Sequence, residues 1–369
     1  MSKVFKSASL IALALGAMTA MSNAADRVVN VYNWSDYIDP TILEDFTKET
    51  GIKVKYDVFD SNDLLETKLL AGKTGYDVVV PSANFLGRQI GAGVFIKLDK
   101  SKLPNLNHVW PDVAARLAAF DPGNQFAVNY MWGTTGVGYN VNKIKERMPD
   151  APLDSWRLVF DPDVISKFKD CGVMFLDAPD EVIPAALNYL GKDPNSRTPE
   201  DFAAAEDLLK KVRPFVKKFH SSEYINALAN GDACLVIGWS GDVKQAASRA
   251  EEKSKTQKDP KKKVEVGYII PKEGAGTFYD NFTIPKDAKN IDEAYAFIDY
   301  LLRPEVIAKA SNAISYANGN IDSQAFIDKA ILEDRSVFPD EATMKKLLDR
   351  KSTRLNSSHE WISRMPSSA

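Results

Sequence analysis

The sequence is poor in the residues that metal sites and thiol chemistry use, with two cysteines and three histidines among 369 residues. His108, His220 and His359 are widely separated, and neither Cys171 nor Cys234 has a histidine close by. Such residues do not supply the four ligands of a zinc site, so we expect no metal and no cofactor. An excess of one charge is also lacking. The formal net charge of −3 gives no reason to expect nucleic acid as a partner.

Long apolar runs are lacking too, except near the start of the chain. Lys3 and Lys6 precede an apolar run over residues 10–21, and small residues follow up to Ala24. This pattern predicts a signal peptide over residues 1–24, cleaved after Ala24. No cysteine follows that could carry a lipid anchor, so we expect a soluble protein in an exported compartment, the bacterial periplasm fitting best. Export favours a disulfide between the two cysteines over two free buried thiols.

Groups suited to ligand binding are present at the ends of several predicted strands. Residues 28–33 read as a strand that runs into Trp34-Ser35-Asp36-Tyr37. Residues 239–242 (Trp-Ser-Gly-Asp) and 277–280 (Thr-Phe-Tyr-Asp) repeat the pairing of aromatic ring and carboxylate after two later strands. Ligands of open α/β sheets bind where such strands end. For one such run, aromatics that merely cover the sheet edge explain the pattern equally well, but the recurrence favours a binding site.

The order of strands and helices predicts an α/β protein. Residues 28–80 form a βαβαβ unit, whose right-handed crossovers bring Ser82 close to Trp34 and Asp36. The chain length suggests two domains, and extended segments near residues 126–140 and 264–282 are candidates for crossing between them. Residues 251–263, rich in lysine, read as a solvated loop.

Taken by themselves, the residues of two segments do not indicate a functional role. Asp177, Asp180 and Glu181 stand at the start of a predicted helix, where acidic residues usually serve as caps and interact with the helix dipole. Residues 349–369 show no helical periodicity and resemble a translated sequencing adapter. We therefore expect this stretch to be a non-native tail without a role in the fold or the function.

Six short motifs together resemble the periplasmic polyamine-binding proteins of bacteria, in particular the putrescine-binding type that serves an ABC importer. The resemblance extends from about residue 27 to residue 348. The motifs are Tyr-Asn-Trp-Ser-Asp-Tyr at 32–37, Val-Pro-Ser at 80–82, Phe-Leu-Asp-Ala-Pro at 175–179, Phe-His-Ser-Ser at 219–222, Gly-Trp-Ser-Gly-Asp at 238–242 and Tyr-Ala-Asn at 316–318.

The resemblance implies the type II fold of periplasmic binding proteins, in which two α/β lobes, each a mainly parallel sheet flanked by helices, are joined by crossing strands that act as a hinge. We expect the first lobe to comprise residues 25–135 and 265–317, and the second to comprise residues 136–264 and 318–348. The ligand would be bound between the lobes and enclosed by hinge closure. The resemblance also implies that Cys171 pairs with Cys234.

The resemblance further implies a set of ligand-binding residues. It favours a role for Glu181 as a carboxylate that binds the ligand, rather than as a helix cap. A polyamine needs carboxylates for its ammonium ends and aromatic faces for its methylenes. We expect Asp36 with Ser35 to hold one end, and Asp242 with Asp280 to hold the other, with support from Glu181. The implied set is Trp34, Ser35, Asp36, Tyr37, Ser82, Glu181, Trp239, Asp242, Phe278, Asp280 and Tyr316.

The expected function is the capture of putrescine by a monomer that delivers it to an inner-membrane permease. A preference for spermidine is an alternative. A glycosidase could also use paired carboxylates near aromatic rings. However, the sequence has no nucleophile elbow, no phosphate loop and no metal-ligand set, so we expect no enzyme.

Overall fold

The computed structural model describes residues 27–259 and 263–349. The predicted signal peptide and its cleavage site lie outside these residues, as does the tail from residue 350 onward. The strands are β1 (Val28–Trp34), β2 (Lys53–Phe59), β3 (Val78–Val79), β4 (Ala127–Asn140), β5 (Val173–Phe175), β6 (Lys218–Phe219), β7 (Leu235–Trp239), β8 (Val266–Ile269), β9 (Gly276–Thr283), β10 (Ala317–Asn318) and β11 (Leu348–Asp349).

Helices and short 3₁₀ turns connect the strands. The α-helices are α1 (Pro40–Thr50), α2 (Asn62–Ala71), α3 (Ala83–Gly91), α4 (Pro111–Leu117), α5 (Val141–Arg147), α6 (Arg157–Phe160), α7 (Pro162–Ile165), α8 (Pro179–Tyr189), α9 (Pro199–Val212), α10 (Glu223–Asn230), α11 (Ser240–Thr256), α12 (Ile291–Leu301), α13 (Pro304–Ile314), α14 (Lys329–Leu332) and α15 (Glu341–Met344).

The sheet has a parallel group of strands at each end and antiparallel crossing strands between them. Its main order is β2-β1-β3-β9-β4-β7-β5-β6. Strands β2, β1 and β3 are parallel, as are β7, β5 and β6. The long strand β4 pairs antiparallel with β9 along its first part and with β7 along its second part. The predicted α/β fold with crossing strands is confirmed.

Local sequence signals explain how β1 leads into α1. The Asp39 carboxylate accepts a hydrogen bond from the backbone N–H of Thr41 at 2.9 Å, and Pro40 occupies the first turn, where its missing N–H is not needed. Gly51 ends the helix in the left-handed conformation, with φ of 71°. These signals bound the turn at residues 35–39, which therefore leaves the sheet at the carboxyl end of β1.

Each lobe has its own hydrophobic core. The first core contains buried residues of β1, α1, β3 and α12, for example Val31, Phe46 and Phe297. The second contains buried residues of α6, β5, α10 and β7, for example Trp156 and Ile237. Two separate cores allow the lobes to move as units about the crossing strands.

The disulfide expected between the two cysteines is confirmed. Cys171 and Cys234 are bonded, with their Cα atoms 5.5 Å apart, and lie just before β5 and β7. Both strands end at the face where the lobes meet, so the bond fixes the starting points of two segments that lead to that face.

At the ends of two segments the structure differs from the expectation. Residues 318–348 do not belong to the second lobe as a whole, because Ile327, Val337 and Phe338 are buried in the first core. The backbone of Asp349, the first residue of the expected non-native tail, pairs with β9 beside Thr277, and the rest of that tail lies outside the described residues. Finally, residues 251–256, expected to be part of a solvated loop, form the last turns of α11, where none of them is buried.

The described part of the chain contains neither a membrane-spanning helix nor a cluster suited to a metal ion. No helix there is both long and apolar enough to cross a membrane. Likewise, no cluster of three or more His, Cys, Asp or Glu residues within residues 27–259 and 263–349 has the arrangement of a metal site.

Candidate functional site

A cavity lies between the two lobes, at the ends of β1, β2 and β7 and beside the middle of β9. It brings together ten of the eleven side chains that the sequence selected. Each lobe and the crossing strand β9 contribute to its wall. These ten residues are Trp34, Ser35, Tyr37, Ser82, Glu181, Trp239, Asp242, Phe278, Asp280 and Tyr316.

Asp242 is held by two buried tyrosines in the first turn of α11. The Tyr316 hydroxyl donates to Oδ1 and the Tyr224 hydroxyl donates to Oδ2, both at 2.7 Å. Each hydroxyl also accepts a backbone N–H, that of Asp242 itself for Tyr316 and that of Trp239 for Tyr224, both at 3.1 Å. Each tyrosine hydroxyl has one proton. Because its oxygen already accepts a backbone N–H, that proton is the one donated to the carboxylate. The arrangement therefore fits the ionised form.

The ionisation of Asp242 is nevertheless finely balanced. Burial raises the pKa of its carboxyl to about 7, although the hydrogen bonds from Tyr316 and Tyr224 act in the opposite direction. The negative charge of Asp36 adds to the rise and the positive charge of Arg249 opposes it. Burial also raises the pKa of both tyrosines well above the usual value, so they stay neutral donors. A bound cation would therefore favour the charged carboxylate.

Asp280 forms a second hydrogen-bonded group on β9. Tyr37 donates to its Oδ2 at 2.7 Å and Ser82 donates to its Oδ1 at 2.5 Å. The Ser82 hydroxyl in turn accepts from the Asn62 amide at 3.0 Å, and the Asn62 oxygen accepts the backbone N–H of Ser82 at 3.1 Å. Burial and the neighbouring Asp280 charge raise the pKa of Tyr37 well above its usual value, so the phenol remains a donor. The carboxylate is thus oriented by neutral partners.

Glu181 lies in the first turn of α8, where the sequence allowed a role as a helix cap. Glu181 is only 6% exposed, and its Oε2 accepts a hydrogen bond from the Thr135 hydroxyl of β4 at 2.5 Å. The next residue toward the N-terminus, Asp180, instead accepts from Asn84 of the first lobe at 3.0 Å. Adjacent acids of one helix turn therefore serve different contacts, and only Glu181 lines the cavity.

Aromatic rings form a continuous series along the cavity. Neighbouring ring centroids are 4.6 to 6.3 Å apart, most of them in edge-to-face contact. One member, Trp34, is fixed by a hydrogen bond from its Nε1 to the Val80 carbonyl at 2.9 Å. Such a wall can contact methylene groups and attract cations to its faces. In order of contact, the series is Phe59, Trp34, Trp239, Phe278, Tyr316 and Tyr37.

The structure does not bring Asp36 to the cavity, and the expectation that it binds an ammonium group with Ser35 does not fit this placement. Asp36 has a positive φ of 53°, in the left-handed region that is uncommon for residues other than glycine. Its Oδ1 forms a 2.6 Å ion pair with Arg249 of α11, and its backbone carbonyl accepts from Gln245 at 3.1 Å. Asp36 therefore links the two lobes beside the cavity.

Six lining residues were not selected from the sequence. Phe59 and Asp60 repeat the pairing of aromatic ring and carboxylate at the end of β2, so the same strand-end signal could have found them. Ser221 and Ser222 lie in a motif that was noted without a role. The six are Phe59, Asp60, Asn62, Ser221, Ser222 and Ile225.

The fold and cavity define a solute-binding protein that encloses its ligand between two lobes. Residues 41–338 match the model of the bacterial extracellular solute-binding protein family. The chain belongs to this family. Because the family binds and delivers solutes, the glycosidase alternative is rejected.

The chain is similar over nearly its full length to proteins of known ligand. It is 54% identical to a putrescine-binding periplasmic protein of Pseudomonas aeruginosa, with 92% of this chain and 91% of that protein covered. It is 52% identical to a putrescine-binding periplasmic protein of Escherichia coli, with 93% and 91% covered. A putrescine/agmatine-binding protein of Pseudomonas aeruginosa is 42% identical, with 94% and 93% covered.

Solved structures support the fold. A putative spermidine/putrescine ABC transporter protein from Listeria monocytogenes superposes with a TM-score of 0.79 at 32% identity, covering 91% of this chain and 98% of that chain. A spermidine/putrescine substrate-binding protein from Streptococcus pneumoniae gives a TM-score of 0.70 at 30% identity, with 91% and 97% covered. The predicted type II fold is confirmed.

Proposed function

We propose that this protein binds putrescine between its lobes for uptake by an ABC importer. The observation that carries the proposal is the cavity itself, in which three buried carboxylates, those of Asp242, Asp280 and Glu181, face a series of aromatic rings. The similarity to putrescine-binding relatives supports the same ligand.

Charge balance explains why a diamine suits this cavity. Buried carboxylates are costly without a cation, and an ammonium group is costly to remove from water without carboxylates and other acceptors. A diamine brings two positive charges, joined by methylenes that can pack against rings such as Trp34 and Trp239. We assign Asp242, Asp280 and Glu181 to the ammonium groups, with the Ser35 and Ser82 hydroxyls as further polar groups of the wall.

Calorimetry with putrescine, cadaverine, spermidine and a panel of sugars tests this function. We expect putrescine to bind, spermidine to bind more weakly, and the sugars not to bind. Asp280→Asn keeps the size of the side chain but removes its charge, and should weaken putrescine binding by about 2 to 5 kcal/mol, the usual range for breaking a buried charge pair.

The matched control is Asp45→Asn, which removes an exposed carboxylate that pairs with Lys309 on the surface. It should leave the affinity unchanged. Absence of diamine binding by the wild-type protein, or equal affinities of wild type and Asp280→Asn, would contradict the proposal.

We further propose that the protein acts in the periplasm as a monomer, after cleavage following Ala24, and that it delivers its ligand to an inner-membrane permease. The pattern of the first residues and the periplasmic relatives support this location. N-terminal sequencing of periplasmic protein should begin at Ala25, and light scattering should give the mass of one chain. Retention of Met1, or the mass of a dimer, would contradict these points.

A further inference from the structure

Part of the cavity wall has polar groups that the binding of a diamine does not use. Asp60 follows β2 in the first lobe, whereas Ser221 and Ser222 follow β6 in the second, and all three line the cavity. Ser221 is 5% exposed, and its hydroxyl has no hydrogen-bond partner within the described part of the chain. A buried hydroxyl without a partner is costly, which points to a partner supplied by a ligand.

This part of the wall lies next to Phe59, at one end of the aromatic series. The rings of Phe59 and Trp34 are 4.6 Å apart, and Trp34 is followed in the series by Trp239 at 5.6 Å. Asp242 and Asp280 accept from Tyr316 and Tyr37, the rings at the other end of the series, and each also accepts from a second hydroxyl, that of Tyr224 or of Ser82. A ligand that lies along the rings from Tyr316 toward Phe59 would extend toward Asp60.

Asp60 has a carboxylate available for such a ligand. It is partly exposed, and among the described residues it forms no ion pair. In the segment that carries the two serines, the Nδ1 atom of His220 accepts the backbone N–H groups of Ser222 at 3.1 Å and of Glu223 at 3.2 Å, and it lies 3.4 Å from the Ser222 hydroxyl oxygen. Because this nitrogen acts as an acceptor, the histidine does not present an Nδ1 proton to the two serines.

We propose that Asp60, Ser221 and Ser222 form an additional subsite for a cationic group of amines longer than putrescine. The proposal rests on the proposed function, because it assumes that Asp242 and Asp280 hold the other part of the amine. A carboxylate and two hydroxyl oxygens can accept hydrogen bonds from the ammonium of an added aminopropyl arm or from a terminal guanidinium. Because Asp60 is partly exposed, this end of the cavity can admit a group that remains partly hydrated.

Calorimetry with putrescine, spermidine and agmatine on the wild type, Asp60→Asn and Ser221→Ala tests the subsite. We expect Asp60→Asn to weaken the binding of spermidine and agmatine at least tenfold more than that of putrescine. Ser221→Ala should change the same ratio in the same direction by about threefold, without lowering the melting temperature, because the lost hydroxyl has no partner in the unliganded protein.

The control is Asp57→Asn on the same strand, which removes an equal charge from an exposed carboxylate that accepts from Tyr76. It should leave all three affinities unchanged. Equal losses for all three amines in Asp60→Asn, no loss for any, or no binding of either longer amine by the wild type would each overturn the subsite. If the wild type binds no diamine at all, the proposed function itself fails, and this outcome is distinct from the other three.

Discussion

The pKa of Asp242 predicts that putrescine binding depends on pH near neutrality. In the unliganded protein its carboxyl has a pKa of about 7. Binding of an ammonium group requires the ionised form, so only the ionised fraction is competent. That fraction is about one tenth at pH 6 and about nine tenths at pH 8, and the apparent affinity falls with it. We expect putrescine to bind about tenfold more weakly at pH 6 than at pH 8.

The same linkage predicts that binding releases protons. Protons are released rather than taken up because the pKa of the unliganded carboxyl is raised. Below pH 7 most of the unliganded protein holds this proton, and the bound cation favours its loss. Titrations at pH 7 in buffers of different ionisation enthalpy should therefore detect about half a proton released per ligand. The amines themselves remain fully charged in this range and contribute nothing to the effect.

Two variants identify the group responsible. Asp242→Asn should bind putrescine weakly, with no change in affinity between pH 6 and pH 8. His220→Asn, which keeps an acceptor for the backbone N–H groups at the start of α10, should retain the pH dependence of the wild type. A flat affinity for the wild type, or a pH dependence that is lost in His220→Asn, would refute the reasoning.

Three further predictions concern parts of the structure around the cavity. Arg249→Gln removes the 2.6 Å ion pair with Asp36. It should weaken putrescine binding by about 0.2 to 1 kcal/mol, a small loss because both side chains are about one third exposed. An equal loss in a protein that already carries Asp36→Asn would show that the pair is not the cause. Gly241→Ala would place a methyl carbon 2.3 Å from the ring of Tyr316, so it should displace that ring and weaken binding at least tenfold by calorimetry, and wild-type affinity would contradict this. Cys171→Ser opens a disulfide across a sequence separation of 63 residues and should lower the free energy of unfolding by about 4 kcal/mol in denaturant titrations; an unchanged value would contradict the chain-entropy argument.

The sequence was sufficient to predict which strand ends meet, because parallel strands in a βαβ unit share one edge. Trp34 and Ser82, which follow β1 and β3, therefore line the same cavity, whereas Asp280 lies within the antiparallel strand β9 rather than at a strand end. It was not sufficient for Asp36, because neither its left-handed backbone conformation nor its ion pair with the distant Arg249 can be predicted from the neighbouring residues. Asp60 was missed for a different reason: its strand-end pattern was present but lacked a matching family motif.

The packing of Ile327, Val337 and Phe338 on the first core could not be predicted, because short helices carry little information about which core they cover. The helices α14 and α15 each have four residues, too few for a periodic apolar stripe. Their neighbours Val337 and Phe338 lie in the first core as single buried positions. Such contacts depend on the three-dimensional path of the chain, which the local pattern does not contain.

The contacts that join the lobes outside the cavity have a consequence for the rate at which ligand leaves. The ion pair of Asp36 with Arg249 and the hydrogen bond of Asn84 with Asp180 hold the lobes together without touching the cavity's contents. They stabilise the closed form whether or not ligand is present, and so they raise the fraction of protein already closed. Ligand can depart only when these contacts open. They therefore lengthen the residence time of any bound solute, and weakening them should accelerate its release more than it slows its capture.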